Sequence, residues 1–176
     1  MNGGTKLTRK WMRGILASLV VILCAGCASL DEQAVKGLEK AEKAFTEDAE
    51  DPNKEVNDIK LFLPSGYSVE EDSDETNILL SKGKDSYILF INPNELSTSK
   101  LYYDLMMSNK NINIIKEETF EADNRFGYAA ILKNSEDRYE LVSSIGGTKL
   151  TTISKEKDVS DNLEQMMTIV RSIQTK

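Results

Sequence analysis

The sequence predicts an α+β domain in which helices cover an antiparallel sheet of about eight strands. Three observations lead to this prediction. Short apolar runs alternate with turn signals from residue 57 onward, those runs are spaced as hairpins rather than βαβ units, and amphipathic helical patterns occur before, within and after them. A signal peptide and a helical stalk are predicted to precede the domain, so the predicted division is 1–26, 27–56 and 57–176.

The first segment has the layout of a secretory signal peptide. Four basic residues lie in the first 13 positions, no acidic residue occurs before Asp31, and the apolar run 15–23 is nine residues long. A membrane-spanning helix needs about 20 apolar residues, whereas a basic region, a short apolar region and then small residues are typical of a cleaved export signal. We therefore expect the chain to be exported.

The motif CAGC at residues 24–27 resembles the lipobox of bacterial lipoproteins. In that family a diacylglyceryl group is attached to the cysteine thiol and signal peptidase II cuts before that residue. The resemblance implies lipidation of Cys27 and cleavage between Gly26 and Cys27. Cys24 departs from the pattern, since the family usually has Leu, Val or Ile there. An uncleaved signal anchor with two buried thiols is the alternative.

Lipidation would place the domain on the outer face of the cell membrane. Two hydrophobic chains give stable attachment where a single chain gives only marginal binding. Cleavage would remove four of the 22 basic residues and none of the 29 acidic ones, which leaves a formal charge of −11. Such a charge argues against nucleic acid as a partner and equally against flat docking on anionic lipid, so no nucleic acid partner is expected. We expect contact with the lipid bilayer through lipidated Cys27, and a protein partner is possible.

The proposed stalk covers residues 30–51. Apolar side chains recur there at helical spacing, and two Glu–Lys pairs four residues apart support a helix; the apolar positions are Ala34, Leu38, Ala41 and Phe45. Two interpretations follow. The helix is either a solvated stalk, or its apolar stripe pairs with a partner helix or with the domain itself. The first implies that the core lies beyond residue 57.

Eight strands are predicted, four on each side of a central helix. They cover residues 59–63, 67–71, 77–81, 86–91, 112–120, 126–132, 139–145 and 149–154. The run 88–91 is apolar without alternation, which predicts a strand covered on both faces. Turns are expected at Asp123-Asn124 and at Gly146-Gly147, because the glycine pair can adopt the positive φ of a two-residue hairpin.

Two further helices are predicted from their apolar spacing. In the central helix, Leu101 and Leu105 share a face with Tyr102 or Met106, and one of Tyr102 and Tyr103 is expected to be exposed. The closing helix has a strong apolar stripe, which is expected to pack on the sheet; it consists of Leu163, Met166, Met167, Val170 and Ile173. Ser172 is predicted to face water.

This element order resembles the PsbP-like fold family. The opening LFLPSGYSVEE at residues 61–71 and the closing IVRSIQ at residues 169–174 contribute to the resemblance. The resemblance implies a fold. It also implies an accessory or binding role, since most members of the family serve in that way. No catalytic residue carries over from the family.

The sequence predicts no catalytic, cofactor or metal site. The chain has no histidine, which removes the commonest general base and nearly all zinc sites. The acidic run 70–77 lacks the EF-hand spacing and is predicted to be a solvated turn, while SSIGGTK at 143–149 is predicted to be a plain hairpin. The methionine pairs 106–107 and 166–167 are expected to pack in the core rather than bind copper.

The expected function is therefore that of a non-enzymatic accessory or binding module. An envelope-associated enzyme or an assembly factor is the alternative, and a small transporter-associated ligand-binding protein is a third. A polar convex sheet face would favour partner binding. A deep apolar pocket with convergent polar groups would favour a ligand.

Overall fold

The computed structural model describes residues 29–74 and 76–175. The leader and the residues predicted for cleavage and lipidation, Gly26 and Cys27, lie outside the described residues, so those predictions stand as predictions. The described elements follow in the order α1 (Leu30–Thr46), β1 (Lys54–Val56), β2 (Ile59–Leu61), β3 (Tyr67–Val69), β4 (Asn77–Lys82), β5 (Asp85–Ile91), α2 (Leu101–Ser108), β6 (Ile114–Ala122), β7 (Arg125–Ser135), β8 (Arg138–Ile145), β9 (Thr148–Ser154), a 3₁₀ turn (Glu156–Asp158), α3 (Val159–Arg171) and β10 (Gln174–Thr175).

The main sheet has seven strands in the order β3-β4-β5-β9-β8-β7-β6, and its neighbouring strands pair antiparallel. The α+β class with helices on an antiparallel sheet is confirmed. The first predicted strand forms β2, which pairs with β1 and β10 in a separate three-stranded sheet. The sequence did not predict β1 and β10, because strands of three and two residues are too short to show an alternating pattern.

Two of the tight hairpins of the meander, at Asp123-Asn124 and Gly146-Gly147, turn where expected. Asp123 and Asn124 connect β6 to β7 with φ values of 48° and 58°, the positive pair that a two-residue hairpin of type I′ requires. Gly146 has φ 51° between β8 and β9. A Cβ at Gly146 would lie 2.3 Å from the Leu96 carbonyl oxygen, so this turn also needs a glycine for close packing.

One face of the main sheet, the inner face, is covered by α1 and α3. The apolar stripe of α3 packs into the core as predicted, with Leu163, Met166 and Met167 fully buried and Val170 nearly so. Because the stripe repeats at three and four residues, it presents a continuous surface to the sheet. The interpretation of the pair 166–167 as core methionines is confirmed.

The interpretation of α1 as a solvated stalk is wrong. Ala34, Leu38, Ala41 and Phe45 are all buried in the same core as the sheet. A Cβ at Gly37 would lie 2.9 Å from the Leu163 Cδ1 atom, so this glycine permits the close approach of α1 and α3. The apolar stripe packs on the domain itself, which was the other interpretation, and the core does not begin beyond residue 57.

Polar contacts also connect α1 to α3. Lys40 Nζ lies 2.8 Å from Asp161 Oδ1 and 2.5 Å from Glu164 Oε2. These hydrogen bonds raise the pKa of Lys40, and the Lys40 ammonium lowers the pKa of Asp161. Arg171 Nε donates to the Phe45 carbonyl oxygen over 3.3 Å. The two helices therefore form one covering layer.

Ser172 does not face water. It is 1% exposed, its Oγ donates to the Ile169 carbonyl over 2.7 Å, and the same Oγ accepts from the Phe62 backbone N–H over 2.8 Å. The prediction failed because the buried face of α3 is wider than the predicted stripe. It includes Ile169, and Ser172, which still has helical backbone angles, follows Ile169 by three positions on the same side of the helix.

No helix among residues 29–74 and 76–175 combines the length and the apolar character needed to cross a membrane.

Candidate binding groove on the outer face of the sheet

The outer face of the main sheet, opposite α1 and α3, is apolar along its central strands. In β5, Tyr87, Leu89 and Ile91 are buried on the inner face, whereas Ile88 is 48% exposed on the outer one. The prediction that this strand is covered on both faces is wrong at Ile88. The run 88–91 does not alternate between apolar and polar residues because both faces of the strand are apolar. An apolar face is not necessarily a covered face.

A row of outer-face residues crosses five neighbouring strands from β4 to β7. Registers place the members directly opposite one another, in the order Leu79, Ile88, Thr151, Val142 and Ala130. The end of this row at Val142 and Ala130 is covered by α2, while Ile88 stays exposed. The outer face is therefore half covered and half open.

Helix α2 has no buried residue among its eight. Leu105 is 56% exposed, Met107 is 49% exposed and Leu101 is also exposed. The face that Leu101 and Leu105 were predicted to share with Tyr102 or Met106 is exposed at both leucines. The prediction of core packing is wrong for Met107. A short helix rich in leucine, methionine and tyrosine that leaves Leu101, Leu105 and Met107 about half exposed departs from the usual burial of these residue types.

The side chains that do anchor α2 are Tyr102, Tyr103 and Met106. The Tyr102 ring lies 5.8 Å from the Phe90 ring at an interplanar angle of 85°, and the Tyr103 ring lies 5.5 Å from that of Tyr128. Edge-to-face pairs of this kind stabilise aromatic contacts. Both tyrosines pack on the sheet, so the expectation that one is exposed is wrong. Rings at adjacent helical positions are long enough to reach the sheet from either side of α2.

A groove of about 440 Å³ lies between α2 and the outer face. Helix α2 forms its wall, with Tyr102, Leu105 and Met106. The outer face of the sheet forms its floor, which is apolar at Phe90, Tyr128 and Val142 and polar at Glu140, Lys149 and Thr151. Since Leu105 and the neighbouring Ile88 are about half exposed, the groove is open to solvent along the β5 side.

Opposite charges mark the two ends of the groove floor. Lys149 pairs in register with Ser144, whereas Glu140 lies four residues earlier on β8, which is about 13 Å along a strand. Lys149 Nζ also lies 5.2 Å from the centroid of the Tyr102 ring, within the range of a cation–π contact. The groove therefore has one positive end, one negative end and a largely apolar middle.

The titratable phenols of the groove have raised pKa values. Burial raises the pKa of Tyr128, and the charge of Glu140 adds to this; burial also raises the pKa of Tyr102. Both side chains therefore stay protonated near neutral pH, and they offer ring surface and O–H donors rather than a catalytic base.

The other predicted features lie away from the groove. In the acidic run 70–77, Asp74 Oδ1 accepts from the backbone N–H groups of Thr76 and Asn77 over 2.8 and 2.6 Å. These bonds lower the pKa of Asp74 and form the predicted turn. Within the part of the chain that the structure describes, no group of three His, Cys, Asp or Glu residues could hold a metal ion.

The segment 143–149 forms the expected plain hairpin between β8 and β9. Ser143 and Ser144 are buried within it, and Ser144 Oγ donates to the Thr148 carbonyl over 2.7 Å. Lys149 contributes to the groove rather than to a serine–lysine pair. The run 88–91 was the sequence signal that could have revealed the groove. Its lack of alternation is also compatible with an outer face that is apolar but open to solvent.

Comparisons with known proteins find similarity among solved structures. No family model matches the chain, and a search of curated proteins finds no match. The solution structure of cyanobacterial PsbP (CyanoP) from Synechocystis sp. PCC 6803 is similar at a TM-score of 0.37 and 14% identity, over 68% of this chain and 87% of that one. This structure belongs to the group that the element order of the sequence resembles. A similarity of this size gives no information about the activity or the partner of this chain.

Proposed function

We propose that the chain is an exported lipoprotein, held on the outer face of the cell membrane through Cys27, that binds a partner protein and catalyses no reaction. The proposed binding site is the groove between α2 and the outer face of the sheet. The leader, the CAGC motif and the formal charge of −11 from Cys27 onward support the anchor and the export.

One observation carries the binding role: Leu105 of α2 and Ile88 of β5 expose about half of their surface beside a groove that is largely apolar. Contiguous exposed apolar surface marks interaction sites in proteins that are otherwise polar outside. Walls that are half exposed cannot enclose a small ligand, whose sites bury most of the ligand surface. A segment of a partner protein fits this shape better.

The charges of the groove suggest what that segment looks like. Glu140 and Lys149 lie about 13 Å apart along the strands, a distance that four residues of extended chain would span. The proposed occupant carries apolar side chains in its middle and charges of opposite sign toward its ends. The protonated tyrosines and the absence of histidine from the sequence support a role without catalysis.

The anchor is tested by labelling cells with an alkyne-bearing fatty acid. We expect the wild-type chain to take up the label and Cys27→Ser to lose it and to remain at precursor length, because the proposed acceptor thiol is gone. Cys24→Ser is the matched control and should be labelled and processed as wild type is. Label on Cys27→Ser would show that another residue is the acceptor.

The binding site is tested by site-specific photocross-linking in cells that express the full chain. A photoreactive residue at Leu105 or at Ile88 should give an adduct with one and the same protein. The same residue at Val35, an exposed apolar position on α1, serves as the control and should give none. If Val35 captured that protein equally, or if neither groove position gave an adduct, the groove would not be the binding site.

A further inference from the structure

A second cleft, with no lining residue in common with the groove, contains two arginines. The chain has only three arginines after Cys27, namely Arg125, Arg138 and Arg171. Arg125 at the start of β7 and Arg171 at the end of α3 line one cleft of about 220 Å³ at an end of the main sheet. No sequence pattern predicts that these two residues meet, since 46 positions separate them.

Phe45 of α1 holds both guanidinium groups in place. The Arg125 guanidinium carbon lies 6.0 Å from the centroid of the Phe45 ring, and Arg171 Nε donates to the Phe45 carbonyl oxygen over 3.3 Å. Phe45 is itself fully buried, so it is a rigid support. Planar guanidinium groups fixed in this way lose little freedom when they bind a ligand.

The donors of the two arginines are incompletely used. Arg125 Nη2 lies 2.7 Å from Asp123 Oδ2 at an exposed edge, but the buried Arg125 Nε has no hydrogen-bond partner. Among the residues that the structure describes, no carboxylate lies within ion-pair distance of Arg171. Unpaired donors of a partly buried cation carry a free-energy cost that an anion would offset.

The surroundings of the two arginines include charges of both signs. Burial and the Arg125 charge lower the pKa of Arg171, whereas the charges of Asp123 and Asp48 raise it. The carboxylate of Glu95 also lines the cleft, and its Oε2 accepts from Ser99 Oγ over 2.5 Å. Thr148 contributes a hydroxyl group to the same wall, while the Ser97 hydroxyl donates to the Asn124 carbonyl oxygen over 3.1 Å.

We propose that this arginine cleft binds a phosphate group between Arg125 and Arg171. Guanidinium groups make bidentate hydrogen bonds to phosphate oxygens, and two of them supply the charge and the fork geometry that such a group requires. The phosphate belongs either to a free phosphate compound or to a phospholipid headgroup, which have this chemistry in common. The site is independent of the groove and of the function proposed for it.

The test is calorimetric titration of the purified full chain with inorganic phosphate and, separately, with soluble dihexanoylphosphatidylglycerol. Saturable binding of either probe is expected, and the probe that binds identifies the source. Arg171→Gln and Arg125→Gln should each weaken it at least about tenfold, as expected when a charge-assisted hydrogen bond is lost. Arg138→Gln removes the same charge at the start of β8 and should leave the affinity unchanged.

Two results would overturn the proposal. One is the absence of saturable binding for both probes. The other is an equal loss of affinity in Arg138→Gln, since that would show a response to overall charge rather than a site. Thermal unfolding of each variant verifies folding, and the use of two separate arginine variants keeps the test valid if one of them does not fold.

Discussion

Ser172 shows how one hydroxyl can join two elements. Its Oγ closes the end of α3 on the Ile169 carbonyl and accepts the Phe62 N–H next to β2. The small sheet formed by β1, β2 and β10 is thereby attached to the helical layer. A buried donor that loses its acceptor retains its full desolvation cost.

Ser172→Ala should therefore lower the free energy of unfolding by about 1–3 kcal/mol, because the Phe62 N–H would lose its partner. Ser108→Ala is the matched control. Ser108 Oγ makes the same local bond to a carbonyl three residues earlier, on Leu105, but it is exposed and binds no second element. Urea titration compares the two variants. Equal unfolding midpoints for Ser172→Ala and Ser108→Ala would contradict the bridging role.

At the scale of elements, α1 is the helix for which the structure differs most from the sequence-based prediction. Phe45 near its end is fully buried and contacts the Phe120 ring at 5.5 Å between centroids. A Cβ at Gly127 on β7 would lie 2.7 Å from the Phe45 ring, so this strand is also shaped around it. The helix is therefore a structural member of the domain.

Phe45→Ala should destabilise the protein by about 3–5 kcal/mol, the cost of truncating a fully buried aromatic side chain. Val35→Ala on the same helix should cause little change, because Val35 is exposed. Denaturant unfolding measures both. A solvated stalk would require the opposite result, namely an unchanged midpoint in Phe45→Ala.

The contact between α1 and β6 also makes stability depend on pH. Burial raises the pKa of Glu118 on β6, and the charges of Glu42, Glu117 and Glu39 add to this against a smaller opposing effect of Lys116. With a raised pKa the folded state holds a proton more readily than the unfolded one. The repulsion therefore destabilises the fold above the folded-state pKa and disappears below the unfolded value.

Glu118→Gln should thus raise the melting temperature at pH 7.5, and the gain should become much smaller near pH 4, where Glu118 is largely protonated in both states. Melting curves at the two pH values are the measurement. Glu71→Gln makes the same change on an exposed loop at the opposite edge of the sheet. A gain for Glu118→Gln that persisted at pH 4, or an equal gain for Glu71→Gln, would refute the local repulsion.

At the scale of the whole molecule, the two faces of the sheet differ in how far they are covered, and we propose that the open face serves binding. The inner face is covered by α1 and α3, and the outer face is covered only in part by α2. The arginine cleft lies at one end of the sheet and is lined by the start of β7, the end of α3 and the loop after β5. The lipid anchor proposed at Cys27 would lie two residues before the described part of the chain.

Much of this architecture could be predicted from the sequence, because turn chemistry and apolar spacing are local properties. The hairpins at Asp123-Asn124 and Gly146-Gly147 and the stripe of α3 are examples. The docking of α1 and the exposure of Ile88 could not, since a periodic pattern shows that a face is apolar but not what covers it. The meeting of Arg125 and Arg171 depends on tertiary structure alone.

The division between the two faces is the central claim, and urea unfolding of a double variant tests it most directly. Ile88→Thr with Leu105→Gln replaces two half-exposed apolar side chains of the outer face, and we expect a stability within about 0.5 kcal/mol of wild type, as for surface positions. Leu89→Ala, next to Ile88 but fully buried, should lose about 2–5 kcal/mol. A loss in the double variant as large as that of Leu89→Ala would show that the outer face belongs to the core, and would contradict the claim.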